Sequence, residues 1–208
     1  MNVAANPGAT LVAAVHPIDT VALAGWLLGI PVLTSIVPGW PRMAPLNIVC
    51  FFLCVAALFA STLPAGKKPF ELTRMIAAGI VLAISTYALI DYTVRGGPAV
   101  VPPKPSDFFG LGRPSPATAF NFLVAAAAFM LPCTDRGKIY SGLIAAGLAV
   151  TGLNFVGYAY GIAALSRGPT VTAMSLPTMA SFVLLFVSAL LARPHAGWPA
   201  IIFARNSS

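Results

Sequence analysis

Of the twelve basic and five acidic residues in the chain, only Asp91 falls within any of six apolar runs, and that segregation constrains the fold more than any motif. The runs cover residues 21–37, 46–63, 75–92, 117–131, 141–165 and 177–192. A helix needs roughly 20 predominantly apolar residues to cross a bilayer, where every backbone polar group must be satisfied within the segment. Charged residues make up 8% of the chain and hydrophobic ones 58%, against roughly 25% charged in an ordinary soluble domain. The pattern predicts an all-α membrane protein with six transmembrane helices. Pro31 interrupts the first run, Pro64-Ala65-Gly66 stops the second, Pro132 the fourth and Arg193-Pro194 the sixth, as expected of residues that cannot continue a helix.

The runs are not independent. Met43-Ala44-Pro45-Leu46-Asn47-Ile48-Val49-Cys50-Phe51 aligns without gaps with Pro114-Ser115-Pro116-Ala117-Thr118-Ala119-Phe120-Asn121-Phe122 and with Met174-Ser175-Leu176-Pro177-Thr178-Met179-Ala180-Ser181-Phe182. Each copy has a proline in the first turn, an Asn or Thr beside or shortly after it, and a Phe opening the apolar run. The copies begin 71 and then 60 residues apart, which predicts three repeated helical hairpins over about 19–64, 74–132 and 139–193. Tails at 1–18 and 194–208 flank this bundle. The entrances, Pro45 with Asn47, Pro116 with Thr118 and Pro177 with Thr178, are expected at one membrane face with approximate threefold symmetry. Ser115-Pro116 reads as an N-cap followed by proline at the first helical position. The Pro- and Gly-rich stretch 93–115 explains the longer first interval and forms a long outer loop.

Orientation follows from loop cations. Lys67, Lys68, Arg74, Arg136, Lys138, Arg193 and Arg205 fall on the side of both termini, and Arg42, Arg95, Lys104, Arg113 and Arg167 on the other. The densest short basic loops belong to the first group, which places both termini in the cytoplasm and the chain in a bacterial inner membrane. The first fifteen residues hold no Lys or Arg, so no cleavable signal peptide is expected and the first run serves as its own insertion signal. The net charge of +7 is dispersed among loops. That dispersal suits lipid headgroups and excludes a nucleic-acid groove.

Groups able to do chemistry are sparse. Asp91 ends the third run, where it reads as satisfied by Arg95 four residues on or, more sharply, as a proton or cation site. Asn121 and Asn154 read as interhelical glue, or with Asp91 as the lining of a polar cavity. Cys50 and Cys54, one turn apart, read as small apolar packers, and Cys133 completes no paired framework. His16 and His195 flank the bundle, outside the positions haem or metal ligation would require. No lysine lies in a run, which excludes a retinal-type Schiff base. Gly157 and Gly161 in the fifth run allow close helix approach, and the Trp and Tyr residues near run ends read as an interfacial belt. With no nucleophile beside a base, no phosphate loop and no carboxylate pair, the chain reads as a non-enzyme without a cofactor.

The entrance Arg42-Met43-Ala44-Pro45-Leu46-Asn47 and its echoes, the Tyr158-Ala159-Tyr160-Gly161 turn and the close from Ser181-Phe182 to Trp198 resemble the amino-terminal multi-span region of some bacterial sensor histidine kinases and diguanylate cyclases. The resemblance covers residues 41–205 and implies a membrane-embedded sensory or scaffold module. Relatives of that kind continue into cytoplasmic signalling domains, and no phospho-accepting histidine context or cyclase motif is present here. Membrane lipid, and either a cytoplasmic signalling domain or other membrane subunits, are the partners this reading implies. An accessory subunit of a larger bacterial membrane complex, photosynthetic or respiratory, is the alternative, and a small transporter the third.

Overall fold

The computed structural model describes residues 7–35, 42–63, 68–95, 112–131, 137–160 and 174–193, with backbone alone for 7–16, 31 and 95. Among them all regular structure is helical: α1 (Pro7–Leu27), α2 (Pro31–Ser35), α3 (Pro45–Thr62), α4 (Lys68–Arg95), α5 (Pro116–Met130), α6 (Gly137–Ala159) and α7 (Leu176–Ala192). Helices α3, α4 and α6 are long and apolar enough to cross a membrane, and α5 and α7 are shorter apolar helices.

The first helix departs from expectation. Residues 7–18 were expected in a tail and a single broken span at 21–37; instead α1 starts at Pro7 and stops at Leu27. Gly29 ends the helix at φ +67°, and the Ile30 amide donates to the Gly25 carbonyl at 2.8 Å. That left-handed residue with a bond back over the last turn is a Schellman ending. The remaining helices match their apolar runs closely at the amino ends of α3, α5 and α7, while α4 begins seven residues before Met75. There Glu71 and Arg74 join the first turns of α4. The expected end of the fifth run, with Gly161, lies outside the described residues.

The helices close a ring. Helix α1 packs on α7 and α3, α4 on α3 and α5, and α6 on α5 and α7, while α3, α5 and α7 also touch one another. At their meeting point the rings of Phe51, Phe122 and Phe182 form a triangle with centroid separations of 4.8, 4.6 and 4.8 Å and interplanar angles of 57–65°. Tilted contact puts the positive ring edge against the negative face, the arrangement aromatic quadrupoles favour. These three residues close the three aligned segments. The same alignment sorts burial: Val49, Phe120 and Ala180 are exposed, whereas Cys50, Asn121 and Ser181, and likewise Asn47, Thr118 and Thr178, are buried.

Neighbours around the ring run antiparallel. At the start of α4, Arg74 donates to the Phe129 carbonyl at the end of α5, and at the start of α6 the Tyr140 hydroxyl donates to the Ala189 carbonyl at the end of α7, 2.8 Å away. The amino ends of α3, α5 and α7 therefore gather at one end of the bundle.

A close helix approach in α6 falls at Gly147, and Gly157 is buried. A Cβ on Gly147 would come within 2.3 Å of the Phe186 ring, which is itself stacked on Phe182 at 5.6 Å. Gly152 has open space around it. Gly147→Val should lower unfolding stability by about 1–3 kcal/mol through overpacking, with Gly152→Ala close to neutral, measured by thermal unfolding in mild detergent.

Candidate polar sites within the bundle

The helix entrances are built from repeated local chemistry. The Ser115 hydroxyl accepts from the Thr118 amide at 3.2 Å and shares a 2.8 Å bond with the Thr118 hydroxyl. Ser175 repeats both with Thr178, at 3.4 and 2.7 Å. A serine oxygen here satisfies an amide that no preceding turn can reach. The third entrance has Ala44 at the cap and no side-chain bond, and the Oδ1 of buried Asn47 is without a partner.

Just before each entrance an aromatic donor from the preceding long helix clamps a backbone carbonyl. Trp26 Nε1 donates to the Met43 carbonyl at 2.7 Å, the Tyr92 hydroxyl to Pro114 at 3.0 Å and the Tyr158 hydroxyl to Met174 at 2.7 Å. Met43, Pro114 and Met174 are the first residues of the three aligned segments. A carbonyl ahead of the first helical turn has no ladder partner, so an indole or phenol from the adjoining helix is a sound solution. The expected belt residues Trp26, Tyr92 and Tyr158 thus point their polar atoms into the protein.

Asp91 is paired with Arg113. Its Oδ2 accepts from Arg113 Nη1 at 2.5 Å, and the Arg113 guanidinium lies 3.8 Å from the centroid of the Tyr92 ring. Burial lowers the Arg113 pKa, but the bond to Asp91 and the proximity of Tyr92 outweigh it and the pKa rises above its ordinary value. The spacing of four along one helix points to Arg95, whose side chain lies outside the described residues; Arg113, just ahead of α5, lies beside the end of α4.

Asn121 and Asn154 each bond to a neighbouring helix or segment. Asn121 donates from Nδ2 to the Thr151 hydroxyl at 2.8 Å, linking α5 to α6, and its Oδ1 is buried without a partner. Asn154 donates to its own helix at Val150, 2.9 Å away, while its Oδ1 accepts from the Met174 amide at 3.4 Å. A groove of about 690 Å³ on the α6–α7 surface includes none of Asp91, Asn121 and Asn154 and is walled by Leu148, Gly152, Phe155, Met179 and Val183. The axis of α3, α5 and α7 is closed by the phenylalanine triangle.

Two buried charged residues were missed. Asp19 of α1 is fully buried, and its Oδ1 accepts from the Ser181 hydroxyl of α7 at 3.0 Å. An apolar run that starts at Val21 leaves it just outside. Register offered a signal: Trp26, Tyr92 and Tyr158 are spaced by 66, and so are Asp19, Ser85 and Thr151, all three buried. Arg74, counted as a loop cation, is also buried. It binds the Phe129 and Leu131 carbonyls and Glu71, anchoring the end of α5. Arg193 lies 4.4 Å from the centroid of the Tyr140 ring. Cys50 and Cys54 are free thiols in the core. Among the described residues no group of three His, Cys, Asp or Glu is placed to hold a metal ion; His195, Cys133 and the side chain of His16 lie outside them.

Compared with protein-family models, curated proteins and solved structures, the chain matches none.

The clamps give a direct test. Tyr92→Phe and Tyr158→Phe each leave a carbonyl unpaired and should each cost about 1 kcal/mol. The two sites share no partner, so the double variant should show their sum, read from unfolding midpoints in detergent.

Proposed function

We propose that the chain is a six-span, three-hairpin module of a bacterial inner membrane, with both termini cytoplasmic, that senses or scaffolds and does not catalyse. Three observations support the repeat: the phenylalanine triangle and the three aromatic clamps, both at aligned positions, and the 66-residue spacing of buried positions on α1, α4 and α6. In this reading α1, α5 and α7 cross the bilayer with α3, α4 and α6, and lipid contacts their exposed apolar faces.

The observation that carries the sensory reading is the junction of Asp91, Tyr92 and Arg113. It ties the returning outer loop to α4 and, through Pro114, to the entrance of α5. A ligand, lipid or protein contact that reorganises it can tilt α5, which meets α7 at the phenylalanine triangle. A change in helix packing at one end then reaches the other through a bistable packed interface. Because the same triangle closes the axis, conduction along the centre is disfavoured and transport is the weaker alternative. An accessory-subunit role remains the second reading, supported by the exposed large apolar residues of α4 and α6.

Spin labels at the far ends of α5 and α7, at residues 131 and 193, test the coupling. Asp91→Asn should shift their distance distribution in liposomes. An unchanged distribution counts against a signal running through the bundle. Cysteine substitutions in a cysteine-free background should label from outside the cell at Lys104 and only after permeabilisation at Lys67 and Lys138. The opposite pattern rejects the orientation. Purification in fixed stoichiometry with other membrane chains would favour the accessory role.

A further inference from the structure

One of the three grooves between inner and outer helices departs chemically from its siblings. On α4 and α6 the corresponding buried side chains are Ser85 and Thr151, each a hydroxyl bonded back to its own helix, at Val81 (2.7 Å) and Gly147 (2.9 Å), with Thr151 also accepting from Asn121 of α5. On α1 the position holds Asp19, which accepts from Ser181 across to α7. A hydroxyl suffices for packing at this site, so the acid adds one thing: a proton that can come and go.

We propose that Asp19 is a proton-binding site in the bundle core, holding its proton while α1 is docked on α3 and α7 and undocking α1 when the proton is lost to water. The geometry gives the carboxyl a single bond, from Ser181. Its second oxygen, Oδ2, is buried without a partner, and the side chain has no exposure. A charged carboxylate in such a place loses its hydration and gains no counter-ion, so the neutral acid is strongly favoured. Among the described residues the facing groups supply no cation. Helix α7 offers the Ser181 hydroxyl, α2 carries no titratable residue, and α3 offers the buried thiols Cys50 and Cys54. On α1 itself His16 precedes Asp19 by three positions.

A metal ion is a poor occupant, because a hard cation needs six or more oxygen ligands and one carboxyl with one hydroxyl falls far short. Losing the proton places a full charge on a carboxylate whose only bond is from Ser181. Water must then reach it, and that requires α1 to part from α7. Pro17, two residues earlier in α1, removes one backbone donor from the helix ladder and makes this the weakest stretch of α1 to open. The inference rests on packing around Asp19 and stands apart from the sensory reading.

Infrared spectroscopy of the full chain in liposomes tests the occupancy. At neutral pH a protonated-carboxyl stretch is expected in the wild type and in Asp91→Asn, lost in Asp19→Asn and shifted in frequency in Ser181→Ala. Should Asp19→Asn fail to fold, aspartate isotope labelling in a chain with Asp91, Asp107 and Asp135 replaced by Asn assigns the band without touching Asp19. A neutral-pH spectrum without an Asp19 band overturns the proposal.

Maleimide labelling of Cys50 and Cys54 in a Cys133→Ala background tests the undocking, since both thiols are buried. Raising the pH should accelerate labelling at least tenfold more in the wild type than in Asp19→Asn, with His16→Gln behaving as the wild type. Equal acceleration with and without Asp19, or loss of the response in His16→Gln, overturns it.

Discussion

Three phenylalanine rings in mutual contact hold this structure together. Phe51, Phe122 and Phe182 come from α3, α5 and α7, and each ring touches the other two at nearly equal distances. In an apolar solvent the drive to hide apolar surface is absent, so helices associate by close packing and by satisfying polar groups. A triangle of tilted rings gives dense dispersion contact in a geometry their quadrupoles favour. It also fixes axial register, because sliding one helix by a turn removes its ring from the triangle.

Everything outside the triangle is organised by backbone groups that lack ladder partners. The carbonyls ahead of the three inner helices are taken by Trp26, Tyr92 and Tyr158. At the other end, the last carbonyls of α5 and α7 are taken by Arg74 and Tyr140, and the Leu58 carbonyl of α3 by Ser61 of the same helix at 2.7 Å. Outer helices thus serve as donors to both ends of α5 and α7 and to the amino end of α3. This is why α1, α4 and α6 sit in the grooves and why neighbours run antiparallel. The polar residues between helices follow the same logic, with Asn121 on Thr151 and Ser181 on Asp19 as cross-links and Cys50 and Ser85 as the corresponding buried pair.

Much of this was legible in the chain. Segregation of charge from apolar runs gave the helices, and the entrance motif gave the residues that start three of them, because a serine cap or a first-turn proline acts locally. The polar sites were read less well. Asp91 pairs with Arg113, 22 residues further along the chain, a contact no periodicity encodes. Asp19 was hidden by a boundary drawn at Val21, since Pro17 resembles a helix stop until neighbouring helices hold the segment in place. Gly147 was passed over for a Gly-xxx-Gly spacing; what makes a glycine matter is the ring opposite, and Phe186 lies 39 residues further on.

The amino-acid sequence by itself determined the helical class, the apolar faces and the caps at Ser115 and Ser175, because these depend on interactions within a few residues of chain. Only the tertiary structure decided which helices lie inside, which aromatic donors turn inward, and that one acid is sealed between α1 and α7. Those outcomes depend on groups brought together from up to 162 residues apart, and a buried polar atom must find its partner wherever packing places one.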